Sequence, residues 1–345
     1  ALVVLVFIVI YQIAKASELA TNLKGEEKVE ASTNTLIAWL WVSFFILGLI
    51  GIYKCHTYLS GMMLPESASY QGRDYDAMLM VTLYITGAVF FLTHLLLFYF
   101  SFKYRSKGNT KAYFYPHNNK LEIVWTSVPA LVLLVLVVFG LRSWFTITAP
   151  APAESLVVEI VGKQFNFIVR YPGPDGVFGQ KNFRLIDDAK NPLGLDWNDP
   201  ASKDDIVIEN GQVNIIKDRP VKLILGSRDV IHNVGLPHFR MKMDIVPGIQ
   251  TTMWFTPSIT TEEMKAKTQN PDFVYEIACS EMCGRGHYSM KGSVIVQTQS
   301  EFDAYIKEQK SYHSIAFPEA APVATPATPA VDTAKATDTI KVAAK

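Results

Sequence analysis

Uncharged apolar runs occupy much of the first 150 residues of the chain and are absent from the remainder. Three of them, Thr35–Tyr53, Ala77–Phe102 and Ile123–Leu141, contain no acidic residue, lysine or arginine. A helix needs about 20 apolar residues to cross a bilayer. Buried helices of a large soluble core are the alternative, but three such runs in so short a region favour a membrane location. We therefore predict three transmembrane helices, the last two forming a hairpin over residues 77–148.

A fourth apolar stretch, Ala1–Ala14, is shorter than the other three. It fits either the remainder of a spanning helix or the apolar region of a signal peptide. The sequence alone does not decide whether this stretch spans the membrane. Polar residues follow this stretch, and we therefore predict that residues 1–34 comprise an N-terminal apolar segment and a cytoplasmic loop. Residues 35–76 are then an extra transmembrane helix with its outer loop.

Loop charge predicts the orientation of the helices. Residues 101–120 carry five lysines and arginines and no acid, so the positive-inside rule places them in the cytoplasm. Everything after Trp144 then faces the outside. Cleavage of the first segment would put Lys15–Asn34 outside and reverse this result, so we reject a cleaved signal peptide.

The outer half of the chain reads as a domain of short strands. Segments such as SLVVEIV, VKLIL and GSVIVQ are rich in β-branched residues and bounded by turn residues. They predict a small sandwich or barrel of antiparallel strands over residues 154–310. Pro172–Pro200 reads as a surface excursion between strands, and Glu301–Gln309 as a short closing helix.

The end of the chain is biased in composition. Ala, Pro and Thr dominate from Ala316 onward, and such a segment cannot bury a core, so residues 311–345 are predicted to be a flexible tail. It contains no Cys-x-x-Cys-His motif, which excludes a covalently attached c-type haem there.

Net charge adds little about soluble partners. Lysines plus arginines and aspartates plus glutamates number 32 each, so no nucleic-acid partner is expected. The apolar half makes membrane lipid an expected partner.

The most informative stretch is CSEMCGRGHYSM, which places Cys279, Cys283, His287 and Met290 within twelve residues. Outside the cell a disulfide is the default use of two cysteines, and His232 could instead complete a Cys2His2 zinc site. Thioether sulfur is a poor zinc ligand but a recurrent weak copper ligand. Two cysteines allow two thiolates to bridge two copper ions, so we favour dinuclear copper over zinc or a disulfide.

This stretch resembles the Cys-x-Glu-x-Cys-Gly-x-x-His-x-x-Met motif of cytochrome c oxidase subunit II, which holds the dinuclear copper A centre. The upstream DVIHNVGLPHFRMKMDIVPG is similar to the family stretch that carries the first histidine. The resemblance extends over about Ala77 to Gln309. It implies a membrane α-helical segment, here a transmembrane hairpin plus N-terminal extra helices, followed by an all-β cupredoxin Greek-key barrel.

The resemblance also implies a ligand set. Cys279 and Cys283 would bridge two copper ions, with His232 and His287 binding one each. Met290 and the backbone carbonyl of Glu281 would be weak ligands. In the family the carboxylate of this glutamate helps to bind magnesium or manganese at the interface with subunit I, whereas the alternative for Glu281 is a solvated loop acid. No haem is expected in this chain.

Two further positions resemble functional residues of the family. GKQFNFIVRYPG is similar to the aromatic patch where cytochrome c delivers its electron, although relatives commonly have tryptophan at Phe165 and Phe167. This places Phe165 near electron entry, while Phe167 could equally belong to the barrel core. LEIVWTSVP resembles a motif whose glutamate lies at the mouth of a proton pathway, which suggests that role for Glu122. The alternative is an interfacial carboxylate favoured by the helix dipole.

The implied function is that of subunit II of a respiratory cytochrome c oxidase in a bacterial inner membrane, with a periplasmic copper domain. It would accept electrons from cytochrome c, or from a dedicated membrane-held cytochrome c, and pass them to haem in subunit I. Oxygen reduction and most proton pumping would belong to that partner, so the chain alone should be inactive. A quinol oxidase subunit and a membrane-anchored copper chaperone are the competing interpretations; quinol oxidases lack the ligands, and bridging thiolates favour retention over release.

Overall fold

A computed structural model describes residues 2–24, 26–107, 111 and 113–318. Four long helices come first: α1 (Leu2–Lys24), α2 (Glu26–Leu59), α3 (Tyr70–Lys103) and α4 (Asn119–Thr148). Each is long and apolar enough to cross a membrane, the first included. Large apolar side chains are exposed along all four, as expected of helices whose surroundings are lipid or other membrane proteins.

Both hairpin helices begin before the apolar run that predicts them. The Ser69 hydroxyl accepts a hydrogen bond from the Gly72 N–H at 2.9 Å and starts α3, seven residues ahead of Ala77. The Asn118 side chain accepts from the Leu121 N–H at 3.1 Å and starts α4. These capped polar turns satisfy the first helical N–H groups, and hydropathy does not register them.

The prediction that residues 15–34 form a loop is wrong for the described residues. Residues 15–24 belong to α1 and residues 26–34 to α2. The stretch is polar but rich in Ala, Glu, Lys and Leu, which are strong helix formers, and Lys15 pairs with Glu18 at 3.1 Å one turn away. Polarity ends an apolar run without ending a helix.

Aromatic side chains join α2 to α3. Trp39 meets Phe102 edge-on with ring centroids 4.9 Å apart, and Phe45 stacks on Phe98 at 4.8 Å. Phe98 is only 6% exposed, although it lies on a helix that otherwise faces outward. The extra helix α2 is therefore packed against the hairpin along the half of its length that lies farther from the outer domain.

The outer domain contains ten strands in two five-stranded sheets. They are β1 (Leu156–Lys163), β2 (Asn166–Tyr171), β3 (Ile206–Ile208), β4 (Gln212–Ile216), β5 (Val221–Ser227), β6 (His232–Leu236), β7 (Met241–Ile245), β8 (Thr251–Phe255), β9 (Tyr275–Ala278) and β10 (Lys291–Gln297). Their orders are β3-β2-β1-β5-β8 and β4-β10-β9-β6-β7. Among the described residues the larger of two hydrophobic clusters lies between the sheets, and the smaller packs Leu193 and Leu195 of the excursion against β1 and β2. Helices followed by a cupredoxin-like sandwich confirm the predicted fold class.

Two strand pairs depart from the antiparallel expectation. β1 runs parallel to β5, and β10 runs parallel to β4, while the other ladders are antiparallel. Parallel neighbours need long connections between them. Residues 164–220 and 217–290 supply these connections, and strand composition does not reveal the pairing.

Three short helices complete the outer domain: α5 (Thr261–Thr268), α6 (Gln299–Glu308) and α7 (Tyr312–Ala316). α6 confirms the predicted closing helix, whereas α5, which Thr260 and Glu263 cap reciprocally, was not predicted. α7 falls in the predicted flexible tail. It is anchored because Tyr312 is buried and its hydroxyl donates to Glu209 at 2.7 Å. The rest of that predicted tail, from residue 319, lies outside the described residues.

A buried ion cluster fixes the excursion that lies between β2 and β3. Arg170, 1% exposed, pairs with Glu159 at 3.0 Å and with Asp205 at 2.6 Å. The same guanidinium donates to the carbonyl of Gly179, inside the excursion. Removal of one partner from such a cluster would leave an uncompensated buried charge, so the excursion is bound to the sheet rather than loosely attached.

The segment between α2 and α3 ties the outer domain to the hairpin. The Ala68 N–H donates to the His238 carbonyl at 2.7 Å, and the Ser69 hydroxyl donates to the Phe239 carbonyl at 2.8 Å. Arg240 forms a two-pronged ion pair with Asp76 in the first turns of α3, with both contacts at 2.8 Å. These bonds hold the sandwich against the outer end of α3.

Candidate metal centre

Residues 279–290, hereafter the ligand loop, connect the neighbouring antiparallel strands β9 and β10. The last ladder pair joins Ala278 to Lys291. Directly beyond it, the Cys279 N–H donates to the Met290 carbonyl at 3.0 Å and closes the loop. A 3₁₀ turn over His287–Ser289 brings the chain back to Met290. Both ends of the loop are therefore positioned by the sheet itself.

The loop gathers four donor side chains around one point. The Cys283 sulfur lies 3.8 Å from the Cys279 sulfur, 3.6 Å from Nδ1 of His287 and 3.8 Å from the Met290 sulfur. Met290 is fully buried, so its thioether faces the thiols and not solvent. Both thiols are free, and 3.8 Å is well beyond the roughly 2.05 Å of a disulfide.

The backbone adds a fifth donor from the loop. The carbonyl oxygen of Glu281 lies 3.1 Å from the Cys279 sulfur. The Glu281 side chain is exposed. Its carbonyl and carboxylate are thus available to different surroundings, the first within the cluster and the second outside it.

His232, the first residue of β6, is brought to the cluster from 47 positions upstream of Cys279. It is fully buried, and its donor atom lies within 4.8 Å of both cysteine sulfurs. A Cβ atom at Gly162 would lie 2.7 Å from Cδ1 of Ile245 and 3.0 Å from Cδ2 of His232, so glycine at this position of β1 lets the ring lie close to the strand. This side chain completes a donor set that the loop alone does not contain.

The His232 ring presents a nitrogen that nothing else uses. Nε2 contacts Oδ1 of Asp229 at 2.7 Å, whereas Nδ1, although buried, has no hydrogen-bond partner among the described residues. A buried polar atom without a partner is costly unless a ligand satisfies it. Donation of the Nε2 proton to Asp229 leaves the Nδ1 lone pair available, which suits metal binding.

Asp229 is the common partner of three groups around the centre. Its Oδ1 also accepts from the Val230 N–H at 2.7 Å, and its Oδ2 accepts from the Gln164 N–H at 2.7 Å. Burial by itself would raise the pKa of Asp229, but these hydrogen bonds and the one to His232 outweigh it and lower the pKa. The carboxylate is therefore held ionised, as an orienting partner of a metal-binding histidine should be.

Gln164 and Phe165 extend this support to the ligand loop. The Gln164 side chain donates to the carbonyl of Cys283 at 2.7 Å. The Phe165 ring lies against the loop, because a Cβ atom at Gly286 would come within 2.5 Å of its Cγ atom. Phe165 is 38% exposed and so connects the loop to the surface, whereas Phe167 is fully buried in the core.

The thiol at the middle of the cluster is not ionised on its own. Burial, together with the hydrogen bond and the charge of Cys279, raises the pKa of Cys283 to about 11. A metal ion that binds here must displace a proton, which couples affinity to pH. The donor set of thiols, imidazoles, thioether and carbonyl is that of a soft or borderline transition metal.

The structure brings most, though not all, of the predicted site residues together. His232, Cys279, Cys283, His287, Met290 and the carbonyl of Glu281 converge, and Phe165 lies against their loop. Glu122 lies apart from them, in the first turn of α4, where its Oε1 accepts from the Asn118 N–H at 3.3 Å. This 30-residue helix is about 45 Å long, and the outer domain follows its other end.

The sequence interpretation did not name Asp229 or Gln164 as site residues, although both lie in the motifs that it uses. Asp229 stands three residues before His232 in DVIHN, and Gln164 directly precedes Phe165 in GKQFN. An acid three residues before a predicted ligand histidine is the signal that could have identified Asp229.

Known proteins resemble this chain over both its membrane helices and its outer domain. The family description "Cytochrome C oxidase subunit II, transmembrane domain" matches residues 57–143, and the corresponding periplasmic domain matches residues 201–299. The alternative cytochrome c oxidase subunit 2 of Bradyrhizobium diazoefficiens is 37% identical over 69% of this chain and 80% of its own length. The cytochrome c oxidase subunit 2 of Thermostichus vulcanus is 26% identical over 83% and 88%, respectively.

Among solved structures, the periplasmic domain of subunit II of cytochrome oxidase from Bradyrhizobium japonicum covers 46% of this chain and 95% of its own, with 20% identity and a TM-score of 0.31.

Fold and site together define a cupredoxin-like domain that follows helices able to cross a membrane and carries a candidate thiol–imidazole metal site. The chain belongs to the cytochrome c oxidase subunit II family, which confirms the resemblance noted in its sequence. It is accordingly a subunit of a haem-copper oxidase, with membrane helices and a periplasmic domain. Family and donor cluster together suggest that the metal is copper.

Substitution Asp229→Ala should lower copper affinity by about 10- to 100-fold, because His232 loses the group that fixes its tautomer and orientation. Copper titration of the metal-free chain, followed by visible absorption, measures this. Asp188→Asn is the matched control, since that carboxylate pairs with Arg228 at an exposed position. Equal affinities in wild type and Asp229→Ala would show that the hydrogen bond does not position the ligand.

Proposed function

We propose that this chain accepts electrons from a cytochrome c-type donor at the periplasmic surface and delivers them to haem in subunit I of the oxidase. Two copper ions, held by the ligand loop and His232, would carry the electron between these partners. The observation that supports the proposal most directly is the convergence of donor atoms. Those of His232, Cys279 and Cys283 lie within 4.8 Å of one another, and the Cys283 sulfur also lies 3.6 Å from Nδ1 of His287 and 3.8 Å from the Met290 sulfur.

The donor set favours copper over the two alternatives. Zinc sites use thiolate, imidazole and carboxylate ligands and do not need a thioether, yet Met290 is buried against Cys283 at 3.8 Å. A disulfide would need the two sulfurs nearly 2 Å closer than they are. Copper sites on β-sandwiches commonly combine cysteine, histidine and a weak methionine ligand.

Each residue then has a distinct role at the centre. Cys279 and Cys283 supply thiolates that two ions can share, and His232 and His287 supply one imidazole each. Met290 and the Glu281 carbonyl supply the weak ligands. A bound pair of copper ions would accept and pass on one electron and would spread it over both metals, so that each would change little.

The protein fixes the positions of these donor atoms and limits their contact with water. The loop ends are fixed by the β9–β10 ladder, His232 by β6 and Asp229, and the Cys283 carbonyl by Gln164. Burial of Met290, His232 and Cys283 limits access of water to the site. A rigid, water-poor cage resists rearrangement when its charge changes, which favours fast electron transfer.

We assign the Glu281 carboxylate to a magnesium or manganese ion shared with subunit I. The acid lies between the two cysteines and its side chain is exposed, whereas its carbonyl turns inward. Carboxylate oxygen is a preferred ligand of such hard cations. An exposed acid at this position can therefore reach a partner surface while its backbone remains part of the copper site.

Electron entry is assigned to Phe165. Its ring contacts the ligand loop on one side and is partly exposed on the other, which is the placement an entry residue needs. The phenylalanine replaces the tryptophan common in relatives, and this departure favours a dedicated, membrane-held cytochrome c domain as the donor over a freely diffusing cytochrome c.

We assign to Glu122 a role at the entrance of a proton pathway. Its location in the first turn of α4 places it at the cytoplasmic end of a spanning helix, if the outer domain is periplasmic. Ionisable groups at such depths are usually functional. We further infer that the membrane is a bacterial inner membrane.

Substitution of either ligand-loop cysteine should abolish the proposed relay. Cys283→Ser should leave fewer than two copper ions per chain and reduce cytochrome c-driven oxygen consumption by more than about tenfold, the effect typical of weaker perturbations at metal sites. Cys55→Ser is the matched control, because that thiol is free and lies on α2. Unaltered haem absorption verifies that the oxidase has assembled. Two retained coppers with normal turnover in Cys283→Ser would refute the proposed function.

For Glu122, the pair Glu122→Ala and Glu122→Gln separates the two possible roles. Both variants should slow turnover while leaving the copper spectrum intact, because neither can carry a proton. Glutamine still offers an oxygen to the Asn118 N–H, so normal turnover in Glu122→Gln alone would show that the residue only caps α4. Steady-state oxygen consumption of the purified oxidase makes the measurement.

A further inference from the structure

A cavity of about 290 Å³ lies between α2 and α3 at the end of these helices farther from the outer domain. We call it the inner cavity; its lining residues are Asn34, Ile37, Ala38, Trp41, Ser101, Arg105 and Ser106. It is separate from the metal centre, and none of the assigned functions uses it. Its volume is close to the lower limit of small-ligand pockets, about 300 Å³.

The walls of the inner cavity change character along the helix axis. Arg105 and Asn34 lie at the polar end, while Ile37, Ala38 and Trp41 line the deeper part. Asn34 and Trp41 are two helical turns apart, or about 10 Å along α2. A ligand that fits must therefore be polar or charged at one end and apolar within about 10 Å of it.

Arg105 is held in place for binding. Its Nε donates to the Thr35 hydroxyl at 3.3 Å, its Nη1 donates to the Phe102 carbonyl at 2.7 Å, and its guanidinium lies 4.5 Å from the centre of the Phe102 ring. An immobilised side chain loses little further entropy when a ligand binds. Arginine also presents a planar fork that matches phosphate oxygens.

The charge of Arg105 is not neutralised within the described residues. No described carboxylate lies within 4.0 Å of its guanidinium nitrogens, in contrast to Arg170, Arg228 and Arg240. Residues 101–120 contain five basic residues and no acid, so the surrounding loop also attracts anions. A ligand with net negative charge is favoured over a zwitterion, whose cationic group these side chains would repel.

The location of the cavity identifies the source of that anion. α4 leads from residues 101–120 to the periplasmic domain across the membrane, so these residues and the inner cavity lie at the cytoplasmic surface. Anionic phospholipid headgroups occupy this boundary and bind basic side chains. We propose that the inner cavity holds the phosphate and glycerol of an anionic phospholipid. Its acyl chains pass over Ile37 and Trp41, which are both exposed, into the apolar part of the bilayer.

The experiment uses the detergent-purified oxidase complex and native mass spectrometry. The complex is incubated with phosphatidylglycerol or with phosphatidylcholine of the same chain length, with and without excess inorganic phosphate. Wild type should retain phosphatidylglycerol in preference to phosphatidylcholine, and inorganic phosphate should not displace it. Arg105→Gln should lower this preference by about tenfold, the effect of losing a hydrogen bond to a charged group, and therefore by more than loss of a surface charge that does not contact the headgroup.

Lys107→Gln is the matched control, because Lys107 is exposed, belongs to the same basic stretch and does not line the cavity. An unchanged preference in Arg105→Gln, an equal loss in Lys107→Gln, or equal retention of the two lipids would each overturn the proposal. Displacement by inorganic phosphate would identify a free-anion site and overturn the assignment to lipid.

A second measurement does not depend on any variant folding. Phosphatidylglycerol with a photoreactive headgroup should label residues 34–41 or 101–106 of the unaltered oxidase. Labelling of this chain only at other residues would contradict the proposal. The outcome is independent of copper binding, because the inner cavity and the metal centre lie at opposite ends of the membrane helices.

Discussion

The metal centre depends on the β9–β10 ladder and its closing bond from the Cys279 N–H to the Met290 carbonyl. This pairing places both ends of a twelve-residue loop side by side, so that the sulfurs of Cys279, Cys283 and Met290 meet without a long-range constraint. β6, which pairs with both β7 and β9, then brings in His232. The result is a site built from strand ends on a closed core, where side chains have little freedom to move.

Around this site the protein uses hydrogen bonds rather than more ligands. Asp229 orients His232 and receives the Gln164 N–H, while the Gln164 side chain holds the Cys283 carbonyl. The turn after β1, the segment before β6 and the ligand loop therefore form one connected frame. Phe165 belongs to the same frame and reaches the surface, which links the route proposed for electron entry to the groups that hold the ligands.

Much of this organisation could be predicted from the sequence, and the failures share a physical cause. Hydropathy located the spanning runs, but it could not locate the capped polar turns at Ser69 and Asn118 or see that residues 15–34 are largely helical. The spacing of Cys279, Cys283, His287 and Met290 indicated a metal site because one loop supplies them. The place of His232 depends on strand order, which local pattern does not encode. The residues alone offer it as a possible zinc ligand, and the resemblance to the family implies that it binds copper. Asp229 and Gln164 act through single hydrogen bonds and leave no periodic signal.

The proposed function requires that two copper ions share the thiolates of Cys279 and Cys283. Electron paramagnetic resonance of the oxidised, copper-loaded chain tests it most directly. Two ions that share the thiolates should give a spectrum in which the hyperfine splitting of one unpaired electron is divided equally between two copper nuclei. A spectrum of a single copper ion, or silence with zinc bound at the cysteines, would contradict it.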